Sequence, residues 1–317
     1  MQKNMFPRFS SLLLSGLLMA LVGLFGCSKS STASLSDGED TDFVTKSVGT
    51  TVPYVEPMFP LATSMDAGRT GVFLTRSTSF GKVAQQTVPL PPVADLVAQA
   101  DDYLAKIGLT LKEDLESSTD YKRESAAVVR DASGLALVAL AIGLSPEDSK
   151  YKKAAPGIIE AALVLEKAEK FDAANKAYAD LQAAFESSGD PSTLSWTKVA
   201  ALGPAMKAVP NLDSVAKRLS NTEARLKRAP ERVTPLLAGI AAIGQGTMAN
   251  FEETIKPDAE AEWKKESEIF RDAAIEANAA VHKFVSGDGT YADFQAAYDK
   301  LAETCDSCHK IFQPNVK

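Results

Sequence analysis

Sulfur and imidazole are scarce in this chain: three cysteines and two histidines in 317 residues. A disulfide framework is therefore out of reach. So is a structural zinc site, which takes four nitrogen or sulfur ligands close together, and these five are not grouped that way. Positive charge is also short, with 34 Lys and Arg against 41 Asp and Glu, a net −7. That balance argues against nucleic acid and offers no basic patch to an anionic lipid surface. Alternating apolar and polar stretches of strand length are missing. No paired-carboxylate or nucleophile–base constellation stands out, so an enzyme is not expected.

What is present begins at the amino terminus. Lys3 and Arg8 precede an apolar run from Leu12 to Phe25, the length of a secretory leader and short for a membrane span. The run ends in Leu24-Phe25-Gly26-Cys27, which resembles the lipobox of bacterial lipoproteins. That resemblance implies a signal peptide at 1–26 and a lipidated Cys27 as the first mature residue. Ser28 after it implies delivery to the outer membrane, on the periplasmic side. Without residues 1–26 the net charge moves from −7 to −9, and a basic docking face on a protein partner is its natural complement. Residues 27–91 are rich in Ser, Thr, Asp and Gly, with prolines up to Pro92, and read as a flexible tether with a root-mean-square span of about 45 Å.

From Val93 the chain changes to Ala, Leu, Glu and Lys with apolar residues at helical spacing. The expected class is all-α. Thr290 with Asp293 reads as a helix start, and Ser286-Gly287 as a stop. Two halves repeat: Tyr151-Lys152-Lys153, Ile158 and Ala161-Ala162 match Trp263-Lys264-Lys265, Phe270 and Ala273-Ala274. Helices are expected around 93–118, 122–143, 146–168 and 170–187, then 198–228, 235–255, 257–285 and 290–313. They make two tandem four-helix bundles, 92–190 and 194–317. In the repeat register Phe185, Ser188 and Gly189 stand opposite Cys305, Cys308 and His309, so the first bundle lacks the residues that carry chemistry in the second.

Those residues form Cys305-Asp306-Ser307-Cys308-His309, a C-x-x-C-H run, the pattern of covalent c-type haem attachment. On a helix the three side chains fall within roughly 60° of one another. Two thiols one turn apart can both add to haem vinyl groups while the adjacent imidazole reaches the iron. A thioredoxin-like dithiol would need a preceding strand, and a disulfide within one helical turn would staple almost nothing.

The carboxy-terminal region resembles the class II c-type cytochromes, of the cytochrome c′ and c-556 kind. Trp263, Phe270, the Gly287-Asp288-Gly289 turn, Phe294, Ala297, Leu301, the Cys305–His309 run and Phe312 carry the likeness. It implies one covalent haem c on the last helix of the second bundle, with His309 as axial iron ligand. If the last two helices are antiparallel, Trp263 lies level with Phe312 and Phe270 near Cys305, so all three aromatics are expected at the haem. His282 falls about 25 Å from His309 along the axis and reads as a surface residue. By the family's methionine position Met206 is the expected sixth ligand, with Met248 as second choice. The implied function is extracytoplasmic electron transfer with a redox partner protein, by a chain held at a membrane through Cys27. The alternative is a five-coordinate haem protein that binds NO or CO. The resemblance also leaves a homodimer open.

Overall fold

A computed structural model describes residues 88–112 and 118–313. The leader, Cys27 and most of the 27–91 tether lie outside the described residues, all of which belong to one compact unit, Ser79–Lys317. Nine α-helices and no strand occur among them, and the fold is all-α. In chain order the helices are α1 (Val93–Lys112), α2 (Ser118–Leu144), α3 (Ala155–Glu166), α4 (Phe171–Phe185), α5 (Leu202–Ser220), α6 (Glu223–Arg228), α7 (Thr234–Gly246), α8 (Glu260–Ser286) and α9 (Tyr291–Phe312).

One whole helix and the second half of another have no polar stripe to turn toward water. Every residue of α7 is buried, and so is every residue of α2 from Asp131 to Gly143. A helix apolar on all sides belongs in a core. Accordingly α2 lies among α1, α3, α5 and α7, and α7 among α1, α2, α5 and α8. By length and composition α2 could cross a membrane, but most of its apolar window is buried here. One hydrophobic cluster runs from Leu96 on α1 to Leu301 on α9. Each buried Leu, Ile or Val adds about 1.5–3 kcal/mol.

A polar seam fixes the outer helices on this core. Asn278 on α8 donates to Asp95 Oδ2 on α1 at 2.9 Å and to the Thr234 carbonyl on α7 at 2.9 Å. His282 Nε2 stands 2.7 Å from the same Asp95 oxygen. His282 is half exposed, as its sequence position suggests, but it also clasps α8 to α1. Behind the core, Arg271 donates to Gln245 Oε1 at 2.5 Å and ties α8 to α7.

Helix ends follow local chemistry. Thr290 and Asp293 form a reciprocal capping box that starts α9. Gly287, at φ +83°, ends α8 in the left-handed conformation that glycine adopts without strain. Three expected helices prove shorter. The third begins at Ala155 rather than 146, because Pro156 fits only in a first turn, and Lys152 instead caps the Ser145 and Glu147 carbonyls. The stretch expected as 198–228 breaks at Asn221, where Thr222 caps the separate helix α6. The helix expected to reach 255 leaves α geometry after Gly246 and continues as a 3₁₀ turn, Thr247–Glu253.

Gly244 sets how closely α7 and α8 approach. A Cβ there would meet Phe270 Cδ1 at 2.8 Å and Arg271 backbone at 3.3 Å, whereas a Cβ at Gly203 would meet nothing within 4 Å. Gly244→Ala should therefore cost about 1–3 kcal/mol in urea unfolding by overpacking. Gly203→Ala should cost nothing, and equal effects at the two positions would contradict the close approach.

Candidate functional site

The side chains that line α5 toward α9 repeat every seven residues. Tyr291 on α9 donates to the Ser220 carbonyl on α5 at 2.8 Å. Two turns on, Tyr298 donates to Asp213 Oδ1 at 2.5 Å and also to the Asp213 carbonyl at 3.1 Å. The two tyrosines act as struts, each filling the gap between the helices. One further step of seven, about 10.5 Å along the axis, brings Cys305 on α9 level with Met206 on α5. Cysteine is too short to serve as a third strut, and a cavity opens there.

That cavity has a volume of about 200 Å³, and about 780 Å³ of free space when its open mouth is included. Its α5 wall is Met206, Val209, Pro210 and Asp213, and its α8 wall is Trp263, Glu266, Ser267 and Phe270. Each set falls at i, i+3, i+4 and i+7, one face of a helix. Thr304, Cys305, Cys308 and His309 supply the α9 wall, and Thr247 closes the end near α7. Pro210 sits inside α5. It has no N–H to offer the carbonyl four residues back, so the Met206 carbonyl loses its helical partner beside the cavity.

The walls are braced from behind. Trp263 Nε1 donates to the Thr247 carbonyl at 3.0 Å, and its ring meets Phe312 edge-on with centroids 5.1 Å apart. Phe270 is buried against Gly244. Ser307, between the two cysteines in sequence, donates to Glu266 Oε2 at 3.1 Å and so locks α9 to α8.

Both cysteines are free thiols of intermediate exposure. Burial, with Asp213 and Asp306 nearby, pushes the Cys305 thiol up to about 11. Burial, with Glu266 and Cys305, pushes Cys308 to about 11 as well. Both are therefore neutral S–H groups near pH 7 in the chain as it stands. Burial and the Asp213 carboxylate it donates to hold the Tyr298 phenol well above its ordinary value. Among the described residues no group of three or more His, Cys, Asp or Glu is placed to hold a bare metal ion.

The cavity brings together Cys305, Cys308, His309, Met206, Trp263 and Phe270, six positions that the sequence marks. Phe312 stands behind Trp263 rather than on the wall. Met248 lies in the 3₁₀ turn just after Thr247 and does not line the cavity. Asp213 and Glu266 are not among the marked positions. The signal was there: Asp213 is seven residues from Met206, and Glu266 lies midway between Trp263 and Phe270 on one helix face. Family models, curated proteins and solved structures give no match to this chain.

The chain with both thiols free should alkylate slowly at neutral pH, because only the thiolate reacts. Iodoacetamide rates at both cysteines should climb about tenfold per pH unit toward pH 10. Asp213→Asn should lower the Cys305 midpoint and leave Cys308 nearly unchanged, and Glu266→Gln should do the reverse. A pH-independent rate would contradict the buried, neutral thiols.

Proposed function

We propose that this chain is a c-type cytochrome that carries one covalent haem c and transfers electrons outside the cytoplasm. The observation that supports this most is the convergence of Cys305, Cys308 and His309 on one apolar cavity with Met206 across from them. The residues suit the group: two thiols one turn apart, an imidazole beside them, and aromatic walls. When bound, haem supplies a one-electron iron couple whose potential the protein tunes.

Each side chain then has a stated task. Cys305 and Cys308 would hold the haem covalently, His309 would ligate its iron, and Met206 would offer a thioether from α5. Trp263 and Phe270 exclude water, with Phe312 keeping the Trp263 ring in place. Asp213 and Glu266 bring carboxylates to the cavity wall, and no Lys or Arg lines it. With haem bound, these two carboxylates would favour the oxidised iron and lower the potential, while a Met206 thioether would raise it.

The finer architecture follows the same reading. Helices α1–α4 form a haemless four-helix bundle and α5–α9 the haem-bearing one, the two packed through α2 and α7. The Leu24–Cys27 motif supports an export signal at 1–26 and a lipid anchor on Cys27, at the periplasmic face of a bacterial membrane. Cys27→Ser should release the protein from membranes in fractionation, and continued sedimentation with them would reject the anchor.

Haem should stay with the denatured chain, one per molecule. Single Cys→Ala changes at 305 or 308 should weaken its retention and the double change should abolish it. An exported chain whose mass includes no haem would overturn the proposal. Met206→Ala should turn a low-spin ferric spectrum high-spin, while Met248→Ala should not. A native ferric spectrum that is already high-spin would remove Met206 as ligand and favour a diatomic-gas site.

A further inference from the structure

Seven arginines fall among the described residues. Arg123, Arg130 and Arg271 pair with carboxylates. The other four, Arg218, Arg225, Arg228 and Arg232, make no ion pair and line a single cavity of about 300 Å³ with Leu219 and Ala229. No acidic residue lines it. In a chain with seven more acidic than basic residues, chance pairing should satisfy most surface guanidiniums, yet the fold gathers the unpaired ones. The acidic composition suggested no basic patch, and the structure corrects that: the end of α5, the short α6 and the turn at Pro230–Arg232 fold one together.

The cavity is partly organised before any ligand arrives. Arg225 Nη1 donates to the Arg218 carbonyl at 3.1 Å and to Asn221 Oδ1 at 3.1 Å, which leaves Nε and Nη2 of its fork to face an anion. A neighbouring groove of about 330 Å³ shares Arg218, Leu219 and Arg232 and continues over Val215 and Leu236 to Gln99, with the Asp102–Lys106 ion pair and Glu231 also on its wall. Gln99 is fully buried, and its Oε1 has no hydrogen-bond partner. A buried amide oxygen without a partner costs about 1–3 kcal/mol, and a donor from a ligand in this groove would satisfy it.

The geometry points to a phosphoryl-binding site, with a phosphate group among the four guanidiniums and the remainder of its ester in the Gln99 groove. Planar guanidinium forks match phosphate oxygens bidentately. A phosphate monoester carries about −1.5 to −2 charges on three oxygens, which answers four cations better than one carboxylate does. Arg218 lies twelve residues from Met206, about 18 Å along α5, so the site is separate from the haem cavity and does not depend on the cytochrome reading.

The test is calorimetric titration of the full-length chain carrying Cys27→Ser with inorganic phosphate and with glycerol 3-phosphate, alongside flotation with phosphatidic acid vesicles. One saturable site per chain, lost in Arg218→Gln/Arg232→Gln, supports a soluble phosphate source. Vesicle binding lost in the same variant, without saturable binding of the small phosphates, supports a lipid headgroup. Arg218→Lys/Arg232→Lys keeps the charge but should still weaken binding about tenfold, because the forks are gone. Unchanged affinity in the Lys variant would reduce the site to diffuse charge and overturn the proposal. So would binding of polyglutamate alone, which would mean an acidic protein surface, or no binding in any arm. Thermal unfolding of each variant at the parent temperature keeps loss of binding distinct from loss of fold.

Discussion

The mutual burial of α2 and α7 is the constraint on which everything else rests. Helix α7 throughout, and α2 from Asp131 to Gly143, present no exposed face, so these stretches must be enclosed on all sides. Enclosing α2 recruits α1, α3 and α5, and enclosing α7 recruits α1, α5 and α8. The result is one continuous core across both halves of the repeat. Losing either central helix would strip the shared wall from helices on both sides. The Asp95–Asn278–His282 seam adds direction to this burial: the Asn278 amide N–H groups and the His282 ring meet Asp95 and the Thr234 carbonyl only when α1 sits in one register against α7 and α8.

The cavity is a consequence of a repeating contact that stops. Along α9, Tyr291, Tyr298 and Cys305 follow one another at intervals of seven, opposite Ser220, Asp213 and Met206 on α5. Two tyrosines hold the helices at a ring's width, and the third position carries a side chain too small to fill it. Rigid spacing set by the first two contacts is what keeps the third from collapsing. Cys305, whose short side chain leaves the gap, and Cys308 one turn on both face into it. Trp263 and Phe270 gain their orientation from α7, through the Thr247 carbonyl and the close approach at Gly244, so the wall of the cavity is set by the core behind it.

The sequence by itself determined the helical class, the capping box at Thr290, the stop at Gly287 and the C-x-x-C-H run. These depend on neighbours within a turn or two, where local hydrogen bonding and backbone freedom decide the outcome. It also placed Trp263, Phe270 and Met206 at one end of their helices, because helical rise converts residue number into height. What only the tertiary structure decided is which faces meet. Asp213 and Glu266 look like solvated acids until α5 and α8 turn them onto a shared cavity. Arg218, Arg225, Arg228 and Arg232 look like scattered surface charge until the break at Asn221 folds α6 back beside the end of α5. His282 reads as an exposed residue until Asp95, 187 positions away, is brought to 2.7 Å. Contacts of that separation follow from how amphipathic faces share a core, and no local pattern encodes the partner.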